Sequence, residues 1–404
     1  MISQRSDLTF KHNIKQGRHG WLRLTPAYSV KVVQNLLEYV GKPELVLDPF
    51  SGSGTTGLVC AERGINCNLI EINPFLAWLA RAKLHHYTTS ELNAAKAIAY
   101  AIAQQASLEQ QLDNLWIPPL NYIERWWPRE RLNILANLFH NLQVQRPDVE
   151  DSLAMNIAMV AFCRTIIDWS NASFNHQSMS FKKQQEIICN VSERALIINS
   201  FVDYCIQLID SAKQEIDGTT TVWNSDSRCI QTIEARSYDC VITSPPYPNR
   251  ISYIREVRPY MYWLGFLKNA RDAGELDWQA IGGTWGIATS RLAQWEPGSV
   301  QIEHPGFKNI IQDIHQRSPI LGNYVYKYFV DISIHLYSLT HVLVKGAKIF
   351  YIVGNSKFYD TLVPVEEIYM SLMRQYGFKN VKSELLRKRN SKKELYEFLV
   401  SAQW

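Results

Sequence analysis

The sequence is short of the features that mark several common functions. Its seven cysteines include no Cys-x-x-Cys pair, so neither a zinc site nor a disulfide framework is indicated, and buried free thiols are the expected state. No apolar run reaches the length of a membrane span, and the opening Met-Ile-Ser-Gln-Arg-Ser-Asp has no signal-peptide apolar stretch, which gives the expectation of a cytoplasmic protein. No charge of one sign dominates: 42 Lys and Arg against 38 Asp and Glu leave a net +4, which permits nucleic-acid binding through a local patch without requiring it. What is present, 404 residues with 46% hydrophobic and 20% charged, suffices for one large α/β domain plus a second unit or a sizeable insertion.

The chain is organised around residues 44–56, Glu-Leu-Val-Leu-Asp-Pro-Phe-Ser-Gly-Ser-Gly-Thr-Thr. Leu45, Val46 and Leu47 read as a buried parallel strand. Gly52 and Gly54 stand where backbone must approach a ligand, and a helix follows to about Arg63. Strand, glycine loop and helix form a nucleotide-type cradle. The loop is read as lacking both the lysine of a phosphate-binding Walker motif and the third glycine of a dinucleotide fingerprint, so it fits neither. A second strand, expected near Asn66 to Asn73, ends in Glu71. An acid at that spacing from the loop can accept both hydrogens of a ribose hydroxyl pair, or it is only an acid ahead of the helix that Pro74 opens. A third apolar strand, Asp-Cys-Val-Ile-Thr-Ser-Pro-Pro-Tyr over residues 239–247, ends in two prolines that cannot continue a ladder. They turn the chain out at the strand's carboxyl end, the edge where open α/β sheets bind ligands.

Together, Asp-Pro-Phe-x-Gly-x-Gly and Ser-Pro-Pro-Tyr resemble the cofactor and catalytic motifs of the DNA amino-methyltransferases, which use S-adenosylmethionine to methylate the exocyclic nitrogen of cytosine (N4) or adenine (N6). The resemblance implies an α/β fold, a Rossmann-like methyltransferase sheet with helices on both faces. It implies cofactor contacts from Asp48, Pro49, Phe50, Gly52 and Gly54, with Thr55 and Thr56 near the carboxylate at a helix N-terminus. Glu71 and Asn73 fall at the ribose, and Asp226 at the adenine amino group, although an Asp after Ser225 is also a common turn. Thr25 lies in the segment resembling the motif that closes over the methionine end; it also reads as an N-cap with Pro26 at the first helical position. The catalytic set is Ser244, Pro245, Pro246 and Tyr247. Ser244 Oγ and the Pro245 carbonyl accept the two amino hydrogens, the prolines hold that carbonyl rigid, and Tyr247 offers a ring to a base flipped from the duplex. A cytosine-C5 enzyme would need a Pro-Cys nucleophile, and no cysteine here follows a proline. Metals are not called for.

The remaining chain gives weaker signals. Residues 1–18 are polar and basic and read as a mobile arm, either a disordered start or a DNA contact. The periodicity of Val30, Val33, Leu36, Leu37 and Val40 predicts a helix ended by Gly41. From Leu92 to Lys213 helical periodicity runs with no competing strand signal, which predicts a helical insertion. Within it, the polar stretch from Asp168 to Ser180 with Lys182 and Lys183 is either a DNA-facing or a solvated loop. Arg250, Arg255 and Arg258, interleaved with aromatics beyond Tyr247, read as phosphate contacts. A helix over about Asn323–Val344, a strand over Lys348–Gly354 and a helix over Val365–Tyr376 complete the sheet, followed by a basic segment with Lys388 and Arg389, read as a solvated hairpin or a DNA-backbone contact. The expected division is 1–88 for the cofactor half, 89–216 for the helical insertion and 217–404 for the catalytic half, with a DNA-recognition segment near 250–320.

Within the family, Ser at the first catalytic position is more usual for N4-cytosine enzymes and Asp for N6-adenine enzymes. Ser244 therefore gives N4-cytosine as the expectation, with N6-adenine the alternative. The expected partners are duplex DNA and a cognate restriction endonuclease. An RNA or tRNA base methyltransferase and a non-catalytic DNA-binding subunit share the fold; the intact Ser244 and Tyr247 speak against the second.

Overall fold

The computed structural model describes residues 5–25, 27–108, 115–145, 153–173, 180–181, 192–233, 237–249, 252–283, 287–389 and 394–404. Its seven-stranded sheet is built from β1 (Leu45–Asp48), β2 (Asn66–Glu71), β3 (Thr220–Asn224), β4 (Tyr238–Thr243), β5 (Leu343–Gly354), β6 (Lys379–Lys388) and β7 (Tyr396–Gln403), in the spatial order β6-β7-β5-β4-β1-β2-β3. β3, β2, β1, β4 and β5 pair in parallel, while β7 runs antiparallel to both β5 and β6. This is a Rossmann-like α/β sheet. The strand order reverses between β1 and β4, so the chain leaving Asp48 and the chain leaving Thr243 diverge and open a crevice at their carboxyl ends.

Because side chains alternate along a strand, the apolar runs of the central strands serve two cores. Val46, Leu69, Cys240, Ile242 and Ile352 face one side, against the helices Val30–Val40 and Thr55–Ala61. Leu47, Ile70, Val241, Tyr351 and Val353 face the other, against the helices Pro319–Thr340 and Val365–Gln375. A third core is mainly helical: Thr89–Ser107, Arg129–Val144, Leu153–Asp168 and Glu193–Ala212 pack with Phe75 and Leu79 of the Pro74–Leu84 helix and with Tyr260 and Trp263 of the Tyr253–Trp263 helix. The helical segment is thus joined by one continuous core to elements before and after it. The Glu193–Ala212 helix is long and apolar enough to cross a membrane, which the sequence reading had not expected. Its Phe201, Cys205 and Leu208 lie in this core.

Several local expectations change. Ser29, not Thr25, caps the Val30–Val40 helix, its Oγ accepting from Lys31 N at 3.2 Å. The start is fixed by buried Asn13, which accepts from Val30 N at 2.9 Å and donates to Tyr28 O at 2.8 Å. In the basic arm Arg5, Lys11 and Lys15 are exposed, while Leu8, Asn13 and Arg18 are buried. The Arg18 guanidinium donates to the carbonyls of Lys83 (3.0 Å), His85 (2.6 Å), Ala212 (2.6 Å) and Gln214 (2.8 Å). Those carbonyls stand at the ends of two helices, where the helix itself leaves acceptors unsatisfied. A two-residue ribbon pairs Ala172–Ser173 with Ser180–Phe181 where no strand was expected; residues 174–179, Lys182 and Lys183 lie outside the described residues. Cys60, Cys67, Cys163, Cys205 and Cys240 are buried, but Cys229 is exposed.

Candidate active site

The loop after β1 turns through left-handed backbone at Gly52 (φ 53°) and Gly54 (φ 82°), which only glycine adopts without cost. A Cβ at Gly52 would meet nothing within 4 Å, so the backbone there borders open space. At Gly57 a Cβ would lie 2.7 Å from Leu69 Cδ1, so this residue lets the Thr55–Ala61 helix sit close on β2. Gly52, Gly54 and Gly57 together form the full Gly-x-Gly-x-x-Gly spacing. Gly57 thus overturns the expectation of a missing third glycine.

Asp48 and Thr56 do not face this space. Asp48 is fully buried and accepts from Phe50 N (3.0 Å), Thr243 Oγ1 (2.6 Å), Thr56 Oγ1 (2.5 Å) and Tyr28 OH (3.1 Å). Burial pushes its pKa up and these donors oppose the shift. The pair ties the loop to the ends of β1 and β4, a positioning role in place of the expected cofactor contact. Thr25 is likewise engaged: its N and Oγ1 donate to Glu256 Oε1 at 2.9 and 2.8 Å.

The crevice itself is lined by Pro49, Phe50, Gly52, Ser53, Thr55, Glu71, Asn73 and Asp226 on the cofactor-motif side and by Ser244, Pro246, Tyr253, Glu256 and Asp277 opposite. Glu71 Oε2 accepts from Gly52 N and Oε1 from Asn73 N, both at 2.8 Å. Burial raises its carboxyl to about 7 against the pull of those backbone donors. Asn73 Oδ1 caps the Pro74–Leu84 helix, accepting from Phe75 N at 3.0 Å, so its side chain is occupied by the fold. Asp226 is held by Arg228 (Nη2 to Oδ2 2.6 Å, Nε to Oδ1 3.0 Å), and Arg228 reaches on to Asp331 at 2.8 Å. Phe50 packs edge-on against buried His335, ring centroids 4.7 Å apart. His335 contacts Ser227 O and the Tyr351 hydroxyl, and burial lowers its pKa to about 4.

The turn after β4 is pinned on several sides. Ser244 Oγ donates to Ile352 O at 3.1 Å. Tyr328 OH donates to Pro246 O at 2.8 Å, and Tyr247 N donates to Tyr253 OH at 2.8 Å. Pro245 is buried, while Pro246 lines the crevice. Tyr247 OH donates to Glu397 Oε1 at 3.0 Å, and Glu397 is clamped by Arg387 through bonds of 2.7 and 2.9 Å. The Arg389 guanidinium lies 4.8 Å from the Tyr247 ring centroid, and its Nη1 donates to Asn355 O at 2.9 Å. Arg389 therefore sits against the Ser-Pro-Pro-Tyr turn, where the sequence offered a solvated hairpin or a DNA-backbone contact. Lys388 stands beside the Tyr396 ring. Arg255 is exposed, Arg258 is half-buried, and Arg250 lies outside the described residues.

Glu256 and Asp277 were missed in the sequence, where nothing in their spacing marks them. With Glu71 and Asp226 they give the crevice an acidic lining, alongside the apolar Leu24, Phe50, Ile72 and Leu276 and the bare backbone at Gly52. That combination fits a ligand with an aromatic base, ribose hydroxyls and a positive centre, and S-adenosylmethionine has all three.

A family model described as DNA methylase, of the N6 and N4 type, matches residues 11–81, the segment from the N-terminal arm through the glycine loop and Glu71. The Type II methyltransferase M.BsoBI of Geobacillus stearothermophilus is 22% identical over 454 residues, covering 97% of this chain and 85% of its own. The Type II methyltransferase M.MvaI of Kocuria varians is 23% identical over 360 residues, covering 83% of this chain and 76% of its own. Over 70 residues, 16% of this chain and 13% of the relative, the Type II methyltransferase M.MjaII of Methanocaldococcus jannaschii is 40% identical. Among solved structures, an rRNA methyltransferase, aviRa from Streptomyces viridochromogenes, covers 93% of this chain and 86% of its own at 12% identity and a TM-score of 0.28, an overlay too loose to argue from. The glycine loop, Glu71 and the Ser-Pro-Pro-Tyr turn meet at one crevice, and the family model and these relatives support an S-adenosylmethionine-dependent DNA amino-methyltransferase of restriction-modification type.

Proposed function

We propose that the chain methylates the N4 amino nitrogen of cytosine in duplex DNA, as the modification partner of a cognate restriction endonuclease. The observation that carries this reading is Ser244. Its Oγ gives its hydrogen to Ile352 O, so toward a ligand in the crevice it can only accept. An exocyclic amino group needs such acceptors, because its lone pair is delocalised into the ring until its two hydrogens are drawn away. Adenine N6 is also an amino group; Ser at the first position of the turn supports the cytosine reading. Incubation with labelled S-adenosylmethionine and mixed-sequence duplex DNA, followed by nucleoside analysis, tests it: labelled N4-methylcytosine is expected, and N6-methyladenine alone would replace the reading with its alternative.

When bound, S-adenosylmethionine supplies a methyl group on a positively charged sulfur. Glu71 and the Gly52–Gly54 backbone would hold its ribose side, Phe50 and Asp226 its base. Two consequences are measurable. Ribose hydroxyls donate, so they need Glu71 ionised. With its carboxyl at about 7 in the folded protein, protonation at lower pH competes with binding, and the affinity for adenosine, which carries the ribose without the charged methionine end, should be about tenfold weaker at pH 6 than at pH 8. Calorimetric titration at the two values checks this; a flat profile between them would remove Glu71 from the ribose. Arg255 is exposed on the Tyr253–Trp263 helix just past the catalytic turn. If it meets a phosphate, Arg255→Gln should weaken binding of all duplex sequences alike and lower the salt slope of log K by about 1. An unchanged slope places Arg255 off the DNA.

A further inference from the structure

Among the described residues, every charged side chain lining the crevice is acidic: Glu71, Asp226, Glu256 and Asp277. Such a wall suits the sulfonium and the ammonium of S-adenosylmethionine, but the methionine end also carries a carboxylate, and the wall offers it no cation. One buried cation stands directly behind it. Lys83, in the last turn of the Pro74–Leu84 helix, is 2% exposed, and its Nζ donates to Ser53 Oγ at 3.2 Å and to His19 O at 3.5 Å. No described carboxylate forms a salt bridge with it. The other buried cation nearby, Arg18, has its Nη atoms committed to helix-end carbonyls.

Ser53 lines the crevice from within the glycine loop. A lysine ammonium only donates, so Ser53 Oγ must accept from it and keeps its own hydrogen to give away. Among the described residues that hydrogen has no acceptor. We propose that Lys83, acting through Ser53 Oγ, is the counter-charge for the carboxylate of the methionine end of S-adenosylmethionine, a positioning residue one layer behind the loop. The proposal rests on the crevice being the cofactor site. Burial lowers the Lys83 pKa to about 7 with no neighbouring charge opposing it, and a carboxylate arriving beyond Ser53 supplies the missing opposite charge. The four anions of the wall are directed elsewhere: Asp226 to Arg228, Glu256 to Thr25, Asp277 to Ser252, and Glu71 to the backbone of Gly52 and Asn73.

The test is a ligand comparison on the full chain, by calorimetry without DNA. Decarboxylated S-adenosylmethionine keeps the adenosine, the sulfonium and the amine and lacks only the carboxylate. The wild type should bind S-adenosylmethionine about tenfold more tightly than the decarboxylated form. Lys83→Met, which keeps the length of the side chain and removes its charge, should lose that preference by weakening S-adenosylmethionine alone. Ser53→Ala, which leaves the buried lysine in place and removes only the hydroxyl, should do the same and carries the test if Lys83→Met does not fold. Equal weakening of both ligands would make Lys83 a structural residue and overturn the proposal; so would a preference retained in either variant. A wild type that binds neither ligand would instead overturn the cofactor reading of the crevice.

Discussion

Ser244→Ala is expected to slow methyl transfer by roughly ten- to a thousand-fold while leaving S-adenosylmethionine affinity close to that of the wild type. The asymmetry follows from when the contact matters. In the ground state the target amino group is planar and a weak donor to any one acceptor. As the methyl arrives, the nitrogen becomes cationic and its hydrogens bind more strongly, so an acceptor fixed beforehand lowers the barrier more than it aids binding. Ser244 is so fixed: it ends the strand that pairs with β1, and its hydrogen is committed to Ile352 O at 3.1 Å on the adjacent β5. The alanine variant keeps the strand pairing and the two prolines, so the turn should persist. Single-turnover methylation of duplex DNA with cofactor saturating measures the effect. Transfer at the wild-type rate would take Ser244 out of the chemistry.

What could be read from the sequence was local. Leu45 to Leu47, the glycines and Glu71 lie within one βαβ unit of consecutive residues, and periodicity with turn chemistry is enough to place them. The third glycine, Gly57, is as local as the other two. The crevice needed more, since β1 and β4 are separated by nearly two hundred residues and only their parallel pairing through Val46 and Cys240 brings the loop after Asp48 to the turn after Thr243. Charged residues were the least legible, because type and spacing do not say what a side chain will be folded against. Arg18 read as part of a basic arm and is buried against two helix ends. Lys83 read as an ordinary helix lysine and lies under the loop. Asp48 read as a ligand contact and is consumed by hydroxyl and backbone donors. Arg389 read as surface, yet the antiparallel register that sets Glu397 opposite Gly354 brings its hairpin onto Tyr247.

That hairpin sharpens what should follow from Tyr247→Ala. Removing the ring takes away the face on which a flipped base can stack, a loss of productive DNA binding of roughly 1 to 3 kcal/mol per stacked base. The ring is held from two directions: Arg389 lies over it at 4.8 Å, and its hydroxyl donates to buried Glu397 at 3.0 Å. A second substitution separates the ring from its tether. Tyr247→Phe keeps the stacking face and the Arg389 contact and loses the hydroxyl, with its 3.0 Å bond to Glu397, worth about 0.5 to 1.5 kcal/mol, and its longer 3.5 Å contact with Ser244 Oγ. Glu397 then still keeps both Arg387 bonds, so no buried carboxylate is stranded. The expected order for duplex affinity at fixed salt is wild type, then Phe, then Ala, with S-adenosylmethionine affinity unchanged throughout, because Tyr247 does not line the cofactor crevice. If Ala binds and methylates the duplex as Phe does, the ring is only a packing residue for the hairpin, and the base must be stacked elsewhere.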